Sequence, residues 1–294
     1  MKSINHHYVP QLYLRGFTAN NGRLQVFDKE FGEFKSDKQT PRSILFEKNR
    51  NSVSPGSIYP DVIEEIYSSI ESPFGDFFNH VRRGISSAEL ITHQGINILK
   101  SFIAVQFWRA PCLDLIVPSY MNNLDFDKFG DELTVKGIVL GKTKKIQKLI
   151  ATSQDFRMFF RSFILPHLTF DLDVIDEDFK NWKLYTVDPA YGQWDNNITG
   201  DNSLVVEKLE DMFAFKSKFV FPLSKNQLIT YSPNGGDAKI LPPVFTSLLS
   251  MNIFNQCQRY VVGANRDYMQ GILSIKNEWP ETVTELRESL FNYI

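Results

Sequence analysis

Apolar and polar positions change their period twice along the chain, separating a helical middle from strand-bearing ends. After Pro10 the stretch Gln11–Phe17 suits one or two helical turns, with proline in the first turn where its missing N–H costs little. Leu24, Val26 and Phe27, followed by Glu30 to Phe34 around Gly32, read as a hairpin. Residues 36–57 are polar, with scattered Pro and Ser, and read as a long connection. From Asp61 to about Arg83, Ile63, Ile66, Tyr67, Ile70 and Phe74 recur at helical spacing. That predicts an amphipathic helix, interrupted or kinked near Pro73. Ile91 to Leu115 predicts a second helix whose later half is apolar almost all round, the mark of a buried one. An acidic loop over 120–132 precedes a third helix, Lys144 to Leu168, ending near Pro166.

The pattern then alternates as strands do, at 182–187, 203–206, 219–223 and 227–231, each bounded by Gly, Pro, Asn or Ser. Phe245 to Val262 returns to helix, and Pro280 to Tyr293 reads as a terminal one. With no regular βαβ alternation, this order predicts an α+β fold: a helical central core, a strand-rich N-terminal hairpin and a C-terminal antiparallel sheet. At 294 residues we expect a single large domain; two lobes, if distinct, would divide as 1–170 and 171–294.

An apolar content of 43% with 25 Phe excludes a globally disordered chain. Lys+Arg at 32 against Asp+Glu at 34 give no overall steering toward nucleic acid or acidic lipid, but the balance is a cancellation. Residues 133–162 carry Lys136, Lys142, Lys144, Lys145, Lys148, Arg157 and Arg161 against the single acid Asp155, with acidic stretches on either side. Such a run can meet a nucleic acid or another phosphate-bearing partner. Cys112 and Cys257 make no CxxC pair, which excludes a zinc cluster or a disulfide framework and suggests buried structural thiols. The longest charge-free run, Ile240 to Gln258, holds two prolines and many polar residues, so no membrane span is expected. The opening residues lack an apolar signal core, and the expected address is the cytoplasm.

Four polar features stand in places that ask for partners. Gln106 continues the apolar stripe of the second helix and Arg109 follows one turn later; burying either unpaired costs several kcal/mol, on the order of 1–3 for a neutral group and more for a charge. Glu64 and Glu71 lie nearly two turns apart on one helix edge, separated by roughly 10 Å. They could bracket a site, pair with Arg109, or simply be solvated. His6 and His7 stand side by side before Tyr8, and in extended backbone only one of the two can enter a given site. Asp201, between Gly200 and Asn202, sits at a strand edge, a good place for a site residue and equally for an ordinary turn.

Together these features resemble the domain-of-unknown-function 4238 family. His6-His7-Tyr8-Val9-Pro10-Gln11 matches its HHYVPQ-type opening, Glu64 and Glu71 its paired glutamates, and Gln106-Phe107-Trp108-Arg109-Ala110-Pro111 its Gln-x-x-Arg-x-Pro signature, with Ala110 where Thr is common. Gly200-Asp201-Asn202-Ser203 matches a strand-edge block that is usually Ser-Asp-Asn-Pro, and Pro222-Leu223-Ser224 a later one. The resemblance implies a shared site and no particular reaction.

Two readings follow. In the first the protein is a hydrolase, a nuclease or other phosphodiesterase, with His6, His7, Glu64, Glu71, Gln106, Arg109 and Asp201 as the catalytic set. A histidine would act as general base, or hold a divalent metal ion with Asp201 and one glutamate, while Arg109 steadies a phosphoryl oxygen. Tyr8, Gln11, Asn202, Lys144, Lys145 and Lys148 would hold substrate. Analogy with other sparsely distributed families adds a role in bacterial defence. In the second reading the protein is a non-enzymatic ligand-binding, sensing or interaction protein, and the polar cluster locks the N-terminal segment onto the helical core.

Overall fold

The structure, a computed structural model, describes residues 4–52, 62–135, 137–187, 196–235, 240–278 and 282–294. It opens with β1 (Asn5–His7), α1 (Gln11–Leu14, continued by a 3-10 turn over Arg15–Phe17), a hairpin of β2 (Gln25–Asp28) and β3 (Glu33–Phe34), and β4 (Phe46–Lys48). The hairpin falls where the alternation places it, with Phe27 opposite Phe34 and their rings 5.2 Å apart. β4 lies inside the stretch read as a connection and pairs antiparallel with β1, setting His6 opposite Glu47 and His7 opposite Phe46. Three-residue strands are too short to display a period, so neither is legible in the sequence. Residues 53–57 of that connection lie outside the described residues.

α2 (Val62–Arg83) is not interrupted at Pro73. Proline removes one backbone bond, but Tyr67, Phe74, Phe77, Phe78 and Val81 are buried on both sides of it and hold the flanking turns in place. After α3 (Ser87–Leu90), Thr92 caps α4 (His93–Arg109), its Oγ1 accepting the Gly95 N–H at 3.1 Å. α4 stops short of the predicted Leu115, because Ala110 precedes Pro111 and takes extended backbone. The predicted acidic loop holds α5 (Val117–Asn122) and a 3-10 turn, and leads into a hairpin of β5 (Glu132–Val135) and β6 (Ile138–Lys142). The third helix divides at Ser153, whose Oγ accepts the Phe156 N–H, into α6 (Thr143–Thr152) and α7 (Gln154–Phe159). A wider π turn over Phe160–Ile164 then joins α7 to α8 (Leu165–Thr169), which carries Pro166 in its first turn.

α9 (Asp178–Asn181) introduces the C-terminal strands β7 (Trp182–Thr186), β8 (Thr199–Gly200), β9 (Val205–Val206), β10 (Phe219–Ser224) and β11 (Gln227–Tyr231). One antiparallel sheet has the order β7-β11-β10-β9. The predicted helix over 245–262 requires correction: α10 covers Pro243–Gln256, and β12 (Tyr260–Gly263) is a strand, followed by α11 (Arg266–Glu278) and α12 (Val283–Phe291). Tyr-Val-Val favours a pleated, buried position, and β12 takes one between β2 and β8 in the order β3-β2-β12-β8. The chain therefore combines helices with small antiparallel sheets in an α+β fold. Among the described residues no helix is long and apolar enough to cross a membrane.

Phenylalanines assemble around Tyr13. Its ring stacks on Phe221 at 5.4 Å and meets Phe17, Phe78 and Phe102. Its hydroxyl donates to the Pro222 carbonyl at 2.8 Å and lies 2.9 Å from Thr199 Oγ1. Next to Thr199, Gly200 is packed so closely that a Cβ there would stand 2.3 Å from the Tyr260 carbonyl oxygen and 2.5 Å from Cys257 Sγ. Cys257 caps the end of α10 and Tyr260 opens β12; both are buried and have little room to retreat. Gly200→Ala should therefore destabilise the fold by roughly 3 kcal/mol, read as a lowered urea midpoint at unchanged slope.

Candidate functional site

β1 lies against α2 and α4, and the polar residues of all three meet there. His6 is buried, and its Nδ1 accepts the Asn51 backbone N–H at 2.9 Å, which leaves the ring proton on Nε2. Glu64 Oε1 is 3.9 Å from that Nδ1, too far for a hydrogen bond, and the Asn51 side-chain amide donates to Glu64 instead. His7 points to the other side of the strand. Gln11 Nε2 lies 3.3 Å from His7 Nδ1; with the amide donating, the proton is on Nε2, which is buried near the Arg42 and Pro41 carbonyls but reaches neither in good hydrogen-bond geometry. Burial, and then the nearby Arg109 charge, hold the His7 pKa below its ordinary value, while the Arg42 and Pro41 carbonyls and Glu64 oppose the shift.

Arg109 donates to Glu71 and lies over the Tyr67 ring, 3.9 Å from its centroid. Gln106 Nε2 donates to the Tyr8 carbonyl at 3.0 Å, while Gln106 Oε1 and Arg109 Nε are buried without partners. The C-terminal carbonyls of α4, which have no partner within the helix, are covered by two arginines: Arg161, which the sequence offers only as part of the basic run, and Arg50, which it does not single out. Arg161 donates to the Trp108 and Ala110 carbonyls at 2.6 and 2.9 Å, Arg50 reaches the Arg109 carbonyl at 3.4 Å, and both hold Asp114. Asp114 had one sequence signal, being the lone charge between Arg109 and Asp125. Arg50 and Asn51 had none, because their place is set by the unread pairing of β1 with β4.

Asp201 stands in a different setting. Its carboxylate accepts three backbone N–H groups, from Gln258 at 2.9 Å, Arg259 at 2.6 Å and Tyr260 at 3.2 Å. These bonds turn the chain between α10 and β12. Asn202 is tied to Gln256, whose Nε2 donates to its carbonyl at 2.9 Å. Tyr8 is buried, and burial followed by the Asp201 charge raises its pKa, so the phenol stays protonated. Lys144, Lys145 and Lys148 are exposed on α6. Arg157 is committed to the Ile150 and Ala151 carbonyls, so the basic run contributes fewer free cations than its composition implies. Lys136 lies outside the described residues.

A family model described as Protein of unknown function (DUF4238) matches residues 5–267, nearly the whole chain. The chain belongs to this family. The DUF4238 match takes in β1, Glu64, Glu71, Gln106, Arg109 and Asp201 alike. No curated protein and no solved structure matches the chain.

Chemically, the cluster is closed. Glu71 is held by Arg109, Glu64 by Asn51, and Asp201 by backbone. Among the described residues no group of three or more His, Cys, Asp and Glu side chains is placed to hold a metal ion. A cavity of about 190 Å³ adjoins the cluster between the end of α4, the Asp201 turn and α12. Gln106, Asp201, Asn202 and Arg287 line it together with Phe107, Leu204 and Phe221, and Cys112 adds a thiol that burial pushes up to about 11. His6, His7, Glu64 and Arg109 do not line it.

The lowered His7 pKa sets a sign for acid sensitivity. The folded protein holds His7 neutral below 6.5, where the unfolded chain takes up a proton, so this stability is complete above 6.5 and is lost as pH falls through the lower folded value. Denaturation midpoints should drop between pH 7.5 and 5, and His7→Gln should flatten that part of the profile.

Proposed function

We propose that this protein is a non-enzymatic ligand-binding module, with the His6-His7-Tyr8 segment acting as a structural lock. The observation that carries this reading is the engagement of all three candidate carboxylates, Glu64, Glu71 and Asp201, in bonds that hold the fold. A general base or a metal ligand needs a free lone pair beside a space for substrate. The available space is the neighbouring cavity, whose walls are mostly apolar. Its cation is Arg287, whose guanidinium has no hydrogen bond or ion pair among the described residues. That combination suits a small apolar molecule with an anionic end, its body against Phe107 and Leu204 and its charge at Arg287. The cytoplasm is the address we assign, in keeping with two free cysteines.

One observation favours the hydrolase reading. His7 Nε2, Gln106 Oε1 and Arg109 Nε are buried polar atoms without partners on side chains gathered around β1, and such orphans concentrate where a ligand or water belongs. A neutral His7 beside a fixed cation would serve as a base for phosphodiester cleavage if the Gln11 amide turned away from Nδ1 and freed its lone pair, and a defence role would accompany that activity.

Two assays decide between the readings. Titration with the amphipathic anion 1-anilinonaphthalene-8-sulfonate should give saturable fluorescence that Arg287→Ala weakens at least tenfold with the fold intact. Incubation with single-stranded RNA and DNA, with magnesium or manganese, should leave both uncut. Cleavage by the wild type that His7→Ala abolishes, in protein of unchanged circular dichroism, would overturn the binding reading.

A further inference from the structure

A second cleft, of about 350 Å³, opens on another part of the molecule, between the C-terminal end of α2, the 3-10 turn after α1, and the turn joining β10 to β11. Its charged lining residues are Arg15, Arg82, Arg83 and Lys225, and among the described residues no carboxylate lines it. A cation in the last turn of a helix is ordinary, since it meets the negative end of the helix dipole, and that accounts for Arg82 and Arg83 taken alone. It does not account for Arg15 and Lys225, which two other elements bring to the same cleft. Burial and the like charges of Arg15 and Arg83 lower the Arg82 pKa, so the cations are close enough to repel. Arg15 and Arg83 make no side-chain hydrogen bond or ion pair among the described residues, while Arg82 is anchored to the Leu12 carbonyl and to Asn79.

The floor supplies an independent sign. Gln227 is 2% exposed and donates through Nε2 to the Ile85 carbonyl at 2.7 Å, but its Oε1 has no partner. Asn226 Oδ1, beside it, is also buried and unpartnered. Two amide oxygens awaiting donors close to Arg15 and Arg83 describe a ligand with anionic oxygens at one end and hydroxyl or amino hydrogens at the other. The frame is rigid: the Lys225 N–H donates to the Gly16 carbonyl at 2.9 Å, and a Cβ on Gly16 would come within 3.1 Å of the Leu223 carbonyl oxygen.

We propose that this cleft binds a phosphorylated small molecule bearing hydroxyl or amino donors, the chemistry shared by nucleotides and sugar phosphates. Arg15 and Arg83 take the phosphate, and the Asn226 and Gln227 amide oxygens accept from the rest of the ligand. The site is separate from the cavity beside Gln106, so it stands whether or not that cavity holds a ligand. It also relocates the phosphate partner from residues 133–162 to a pocket of small-molecule size.

Isothermal titration of the full chain with ADP and with glucose 6-phosphate, against adenosine and glucose, tests the assignment. At least one phosphorylated compound should bind saturably, and adenosine and glucose should not. Arg15→Ala with Arg83→Ala should weaken that binding at least tenfold, with circular dichroism unchanged because both side chains sit at the surface. Asn226→Leu should weaken it further while leaving affinity for inorganic pyrophosphate unaltered. The ADP and glucose 6-phosphate arms distinguish the two sources. Absence of binding by both at millimolar concentration, or binding that the double variant leaves intact, overturns the proposal. Tight binding of a single-stranded oligonucleotide with neither small molecule bound also overturns it, in favour of a nucleic-acid surface.

Discussion

The structure depends on where one buried hydroxyl finds its acceptors. Tyr13 belongs to a four-residue helix that could not persist alone, since so short a helix does not recover the entropy of its nucleation. Its ring is therefore held by α2, α4 and β10, and its hydroxyl by Thr199 and the Pro222 carbonyl. A phenol buried without those bonds would cost about 1–3 kcal/mol, so the acceptors fix its position as firmly as the packing does. With Tyr13 seated, the residues on either side of it have little freedom: β1 must pass over α4, and the turn at Gly16 must meet the β10–β11 turn.

The polar cluster next to Tyr13 follows from this constraint. A segment pressed onto a buried helix brings its own carbonyls with it, and Gln106 answers one of them at Tyr8. The end of α4 presents further carbonyls, and Arg50 and Arg161 answer those, with Asp114 offsetting their charge. Arg109, buried by the same packing, takes Glu71. Much of what looks like catalytic machinery is thus the polar counterpart of a tight apolar interface. The atoms left over, on His7, Gln106 and Arg109, are those that this explanation does not use.

Legibility in the sequence tracked length and locality. The α2 stripe, the hairpin at Gly32 and the strands after Trp182 carry enough residues to show a period, and their types were read directly. β1, β4 and β8 are two or three residues long and exist only through their partners. β12 is hard to separate from α10 because only the short polar stretch 255–259 divides two buried apolar runs, and the turn there is held by Asp201, more than fifty positions away. The candidate residues were found because each is polar in apolar company. Their roles were not legible, since the choice between a catalytic and a structural carboxylate depends on whether a second group has already claimed it. Asn51 and Arg287 lie in unremarkable sequence, and only the fold gives them neighbours.

The pairing of β2 with β12 has a consequence for the order in which the protein is made. A ribosome delivers β1, α1 and β2 before β8, β10 and β12, so Val26 waits for Val262, and Tyr13 waits for Thr199 and Pro222. Closing loops of that length is slow, and the apolar face of the early segment stays uncovered while synthesis continues. The HHYVPQ-type block, made well before its C-terminal partners, is thus among the last parts to settle, and a chaperone that holds nascent chains would meet it before they emerge.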